Sequence, residues 1–239
     1  MSRISERIAR VNENIGSACA RVGRDPAKIK LVVVTKSTDL NAIRQVVELG
    51  CSDLGENRVQ QLKKVAAELA DLFHSQTPHA NPASNIHWHM IGHLQRNKVR
   101  QVLSLISLVH SVDTLRLAEE IDASAQKLDI KSEILLQVNT SGEPQKYGVP
   151  VGAAIHMAEQ FQTLTNVKLI GLMTMAPLTH NKDLVRASFT QAREIFLEIK
   201  GEKIAGPEFT QLSMGMSSDY EIAVEEGATI LRIGSAIFA

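Results

Sequence analysis

Lys36, histidines 87, 89 and 93, the stretch Ser213-Met-Gly-Met-Ser-Ser218, Arg232 and the pair Gly234-Ser235 are the residues best equipped for chemistry. Lys36 closes the run Leu31-Val32-Val33-Val34-Thr35, which reads as a strand buried on both faces. Strand side chains alternate, so Val32, Val34 and Lys36 share one face. Burial there would disfavour the ammonium and leave a free amine able to attack an aldehyde. The alternative is a lysine that snorkels to the strand end. The glycines and serines at 213–218 and 234–235 offer close backbone approach, free N–H groups and hydroxyls, the parts of an anion cradle or simply of two loops. Arg232 shares a strand face with Ile230 and Gly234. It cannot shed its charge, so it needs an anion, or a buried acid such as Glu56. Imidazole suits zinc, but no cysteine or paired carboxylate completes a set near the three histidines. They are expected to be satisfied polar residues, with no metal. Met173, Met175, Met214 and Met216 read as core filler.

The elements that must position these groups alternate along the chain. Ile4, Ile8, Val11 and Ile15 give an opening helix its apolar stripe, ended near Gly23. Strands are predicted at 31–35, 51–55, 86–91, 108–111, 133–138, 167–174, 209–213 and 229–233. Helices are predicted after Asp39, through Val59 to Leu69, from about Gln95, after Asp113, and over 152–164, 183–199 and 219–226. Residues 71–85, with Pro78 and Pro82, read as a surface loop. Eight strands, nearly all followed by helices, favour a closed (β/α)8 TIM barrel with an extra N-terminal helix over an open doubly wound sheet. No GxGxxG follows the first strand. Barrel sites sit at the C-terminal strand ends, with phosphate often held after strands seven and eight, where the serine-glycine segments lie.

The bulk properties narrow the partners. The 239 residues fit a single domain spanning 1–239. Lys+Arg and Asp+Glu balance at 26 each, which argues against nucleic acid as partner. Two cysteines form no framework, the opening residues lack a signal peptide's apolar core, and no run reaches membrane-spanning length. A cytoplasmic protein without membrane contact is expected.

Lys36, a phosphate cradle and an inward arginine suggest pyridoxal 5'-phosphate (PLP). The chain resembles the pyridoxal phosphate homeostasis (YggS/PROSC) family in LVVVTK at 31–36, LGENRVQ at 54–60 and IHWHMIGHLQRNK at 86–98. VHSVD at 109–113, LLQVN at 135–139, KYGV at 146–149, GLMTM at 171–175 and the end from Leu212 to Ala239 match as well. The resemblance implies a barrel of the alanine racemase N-terminal type (PLP fold type III) and a Schiff base between Lys36 and the cofactor aldehyde. It also implies Ser213, Gly234 and Ser235 as phosphate ligands, Arg232 opposite the pyridine nitrogen, and Asn57 close by. Ser235 stands where the family commonly has threonine, and His93 and Arg96 fall at variable positions.

A cation at the pyridine nitrogen disfavours its protonation, which makes the ring a poorer electron sink. A racemase also needs a second acid/base on the opposite face, and no sequence feature assigns Tyr147 or Tyr220 that role. The expectation is therefore a non-catalytic, monomeric PLP-binding protein serving PLP homeostasis, with PLP-dependent apo-enzymes as candidate recipients. A weak amino-acid racemase or decarboxylase is the alternative, and a Schiff-base aldolase on a sugar phosphate the second.

Overall fold

Parallel pairing closes on itself in the computed structural model, which describes residues 2–76 and 85–239. Among these residues eight strands form the barrel: β1 (Lys30–Val34), β2 (Asp53–Glu56), β3 (His87–Met90), β4 (Ile106–Val112), β5 (Ser132–Asn139), β6 (Val167–Met173), β7 (Gln211–Ser213) and β8 (Ile230–Ile233). Each pairs in parallel with the next, β4 with β5 included. The ring closes where β8 pairs with β1, setting Arg232 opposite Val32. A two-residue strand, Val149–Pro150, adds to the end of β5.

Helices pack outside because each carries one apolar stripe toward the strands. They are α1 (Arg3–Arg21), α2 (Leu40–Glu48), α3 (Val59–Gln76), α4 (Leu115–Leu128), α5 (Ala154–Phe161), α6 (Lys182–Gly201), α7 (Tyr220–Glu225) and α8 (Ser235–Phe238). The extra helix α1 buries Ile8, Val11, Ile15, Ala18 and Cys19 and packs against α7 and α8. A fully buried Val or Ile contributes about 1.5–3 kcal/mol over its exposed state. Polar ties fix the orientation: the Asn14 amide donates to Tyr220 Oη at 2.8 Å and Arg7 donates to the Ile237 carbonyl at 3.3 Å.

Several boundaries differ from the sequence reading. Residues 71–76 complete α3, because Phe73 extends the stripe of Val65 and Leu69 into the core; the rest of the expected loop, 77–84, lies outside the described residues. The helix expected from Gln95 is a 3-10 turn, Arg96–Gln101, whose N-cap has no side-chain hydrogen bond and which buries Val99 alone. Thr114, not Asp113, caps α4, accepting from the Leu117 N–H at 3.3 Å. The helix expected from Gly152 begins as a 3-10 turn, Val151–Ala153, before α5.

Two kinds of residue fill the barrel. Val32, Leu108, Leu135, Ile170, Met173 and Ile230 form a small apolar cluster. Beside it run Asp53, His89, His110, Ser213 and Arg232, linked by hydrogen bonds.

Candidate functional site

A cavity of about 430 Å³ opens at the C-terminal strand ends. Val34 and Lys36 line it from the β1 side, as the alternation required, with Val32 one layer below in the apolar cluster. Lys36 sits in a turn closed by the Thr38 N–H donating to the Thr35 carbonyl at 3.1 Å, with Ser37 at φ 63°. A left-handed serine costs free energy and marks a backbone held in place by its surroundings. Lys36 itself is exposed, so the buried amine that the strand reading foresaw is absent. The strand ends at Val34, two residues short of it, which carries the amine out to the cavity rim.

Glu56, at the end of β2, is buried behind this turn and accepts from Thr35 Oγ1 at 2.5 Å. Burial raises its carboxyl above 4.5, against the lowering influence of Thr35, the Asn57 backbone and Lys36. The folded value thus exceeds the unfolded one. Its stabilising contribution is complete below pH 4.5 and is lost as pH rises through the raised folded value. Glu56→Gln keeps an acceptor for Thr35 and cannot ionise. Thermal melts should show wild type losing stability relative to Glu56→Gln as pH rises above that point; parallel curves would refute the assignment.

Asn57 follows on the cavity wall, pressed against Gly92. A Cβ at Gly92 would overlap the Asn57 carbonyl oxygen and lie 2.7 Å from Asn57 Cβ, so glycine is what permits the loop after β3 to close over Asn57. His93 and Tyr147 stack at the mouth with ring centroids 4.3 Å apart and planes 14° from parallel.

Arg232 reaches the cavity floor from β8 and is 4% exposed. It donates to Ser213 Oγ at 2.6 Å and to the Thr174 carbonyl at 2.9 Å. Burial lowers its guanidinium to about 10, with Asp219 opposing the shift, so it is charged at neutral pH. Glu56 is not among its partners, which removes the ion pair considered from the sequence. Asp219, itself raised by burial, accepts from the Met216 N–H at 2.6 Å and shapes the loop after β7.

That loop and the start of α8 face each other across the cavity. Ser217 Oγ accepts from the N–H groups of Gly234 and Ala236 at 3.2 and 3.1 Å, and Ser218 and Ser235 line the cavity beside it. The Ser217 hydroxyl that these amides hold keeps its own proton to donate to an anion, and Ser218 and Ser235 add hydroxyls beside the start of α8.

Lys36, Asn57, Arg232, Gly234 and Ser235 therefore converge as the sequence anticipated. Ser213 does not line the cavity: it is fully buried beneath it, bonded to Arg232 and His110. Ser217 and Ser218 take the position expected of it. The cavity lies beyond the strand ends, so serines after the end of β7 reach it, while one in the strand points into the barrel. Gln137 also lines the wall and was not singled out; His93 and Tyr147, named in the sequence without a place at the cofactor, line it too. The inward phase of β5 would have found Gln137; Tyr147 comes from a loop with no periodic signal. Among the described residues no group of three His, Cys, Asp or Glu could hold a metal ion. His89 is committed to the barrel interior, and His87 lines a cavity at the opposite barrel end.

The alanine racemase N-terminal domain family matches residues 7–239. The pyridoxal phosphate homeostasis protein of Aquifex aeolicus is 40% identical over 234 residues, covering 98% of this chain and 96% of that protein. That of Pseudomonas aeruginosa is 37% identical over 238 residues, covering 100% and 96%. Among solved structures, PipY from Synechococcus elongatus with PLP bound superposes with a TM-score of 0.82 at 33% identity, covering 99% of this chain and 100% of that one. An alanine racemase from Clostridium difficile, at 12% identity and a TM-score of 0.72, covers 95% of this chain and 58% of that one and shares the fold.

Proposed function

The chain belongs to the pyridoxal phosphate homeostasis proteins, within the alanine racemase N-terminal domain family, and from that premise we propose that it binds PLP and keeps it in reserve for enzymes that need it. The observation that carries this reading is the cavity itself: an exposed amine at one rim, an amide-and-hydroxyl cradle at the other, and a charged guanidinium on the floor. In this reading Lys36 Nζ holds the cofactor, Ser217, Ser218, Gly234 and Ser235 hold its phosphate, Arg232 faces its ring nitrogen, and Asn57 borders it. Bound there, the group supplies an aldehyde with which the lysine amine condenses, releasing one water.

Holding rather than turnover is the proposed role. A guanidinium donates but cannot accept, so it opposes proton gain at the ring nitrogen and weakens the electron sink on which amino-acid chemistry depends. A monomer is the proposed working unit. Among the described residues no helix is long and apolar enough to cross a membrane. Delivery to apo-enzymes in the cytoplasm completes the proposal.

The test is uptake. Added PLP should turn the purified protein yellow, and borohydride should fix the adduct on Lys36, as read by peptide mass. A colourless protein with no adduct would overturn the reading. The stacked pair His93–Tyr147, which lines the same cavity as Lys36, favours one competitor, a weak racemase or decarboxylase that uses one of these rings as its second acid/base. Exchange at the α-carbon of amino acids in D2O would select that competitor; silence across a panel would leave storage as the function.

A further inference from the structure

Beneath the cavity a single file of hydrogen bonds crosses the barrel. The Arg232 guanidinium donates to Ser213 Oγ at 2.6 Å, and Ser213 Oγ lies 2.9 Å from His110 Nδ1. His110 Nε2 lies 2.9 Å from His89 Nδ1, and His89 Nε2 lies 2.9 Å from Asp53 Oδ1. Asp53 Oδ1 is in turn 3.1 Å from Lys30 Nζ, at the N-terminal barrel end. His110 and Ser213 are fully buried and His89 is 1% exposed, so the links between these three are shielded from water, while Asp53 sits at the edge of the cavity at the N-terminal barrel end.

The two ends dictate the direction of every bond between them. Asp53 is an acceptor, held down to about 2 by His89 and Lys30 although burial opposes them. Burial lowers both imidazoles, so each is neutral with one N–H. His89 must then carry its proton on Nε2 to serve Asp53, which leaves Nδ1 to accept from His110 Nε2–H. His110 Nδ1 is left as an acceptor, and the Ser213 hydroxyl must donate to it. The Ser213 oxygen consequently turns its lone pairs to Arg232.

We propose that Asp53, His89, His110 and Ser213 are a positioning relay, whose one permitted direction of donation presents a fixed acceptor to Arg232 and so aims the guanidinium at the cofactor cavity. The inference rests on the PLP reading for what Arg232 faces, but the relay exists in the unliganded chain. Reversing it would aim an N–H of His110 at Ser213 Oγ, occupying one of its two lone pairs and leaving the buried hydroxyl proton without the acceptor that fixes its rotation beside Arg232. Asp53 forbids this from the far end of the barrel.

Long-range ¹H–¹⁵N NMR of the full chain without cofactor tests the direction. Both His89 and His110 should be neutral and protonated on Nε2. Asp53→Leu, which offers no acceptor, should populate the opposite tautomer, whereas Asp53→Asn, which keeps one, should not. Ser213→Ala and Asp53→Leu should each weaken PLP binding about tenfold and shift the visible absorption maximum, as expected for a lost hydrogen bond to a charged group. Asp53→Asn should bind near the wild-type level with an unshifted band. A wild-type His110 that is charged or protonated on Nδ1 would overturn the relay. So would an unshifted band with affinity within about twofold of wild type in both weakened variants. A wild-type chain that takes up no PLP would sink the storage reading instead, and the tautomers would still judge the relay.

Discussion

Lys36→Ala is expected to abolish the visible band of PLP-loaded protein while leaving the fold as it was. Lys36 is exposed and makes no hydrogen bond or ion pair among the described residues, and its ammonium acts on the fold through the lowering it exerts on the buried Glu56 carboxyl, behind those of Thr35 and the Asn57 backbone. Exposed substitutions of this kind change stability by about 0.5 kcal/mol or less, a shift of about 1–2 °C in a domain of this size. The rest of the cavity is untouched. Pyridoxine phosphate, in which the aldehyde is replaced by an alcohol, should therefore bind Lys36→Ala and wild type equally, since in the proposed reading the loop after β7 and the start of α8, present in both, hold the phosphate. Paired titrations with the aldehyde and the alcohol separate the contribution of Lys36 from that of the cradle. A variant that still forms the band would assign the amine elsewhere, and one that loses the alcohol as well would show Lys36 shaping the cavity rather than reacting in it.

Gly171→Ala is expected to do the converse, destroying the barrel at a residue that touches no ligand. Gly171 pairs with Gln211 where β6 meets β7, next to an irregularity in the β5–β6 register. A Cβ there would overlap the Gln211 carbonyl and lie 2.9 Å from Gln211 Cα, both backbone atoms with no rotamer through which to yield. Overpacking commonly costs about 1–3 kcal/mol even when flexible side chains absorb it. Here two strands must part, and β7, only three residues long, has little pairing to lose. A large fall in the thermal midpoint, or insoluble protein, is the expected result. A soluble variant melting within about 3 °C of wild type would show that β7 can shift its register.

The fold was legible because its signal is redundant. Eight short strand segments alternating with apolar helical stripes admit few architectures, and small boundary errors at Gln95, Asp113 or Gly152 do not alter the alternation. Lys36 and Arg232 were legible for a simpler reason: strand period two assigns each a face. The site failed where it leaves regular structure. Ser213 is correctly inward by period, yet inward from within a strand means the barrel interior, one layer below the cavity. The hydroxyls that line the cavity, Ser217 and Ser218, belong to a loop whose path is set by Asp219 and the Met216 backbone, which no periodicity encodes. The burial expected of Lys36 failed likewise, because the strand stops at Val34 and the turn lifts the amine clear.

Closure between β1 and β8 has a kinetic meaning. During synthesis β1 waits with one bare edge until the last barrel strand is made, and bare edges invite mispairing. The cavity straddles this seam, with Lys36 on one side and Gly234-Ser235 on the other. A ligand joined to both is a clasp across the joint where the ring was last to shut. Its departure should be easiest when the seam breathes, and its presence should slow that breathing, coupling cofactor residence to the lifetime of the closed barrel.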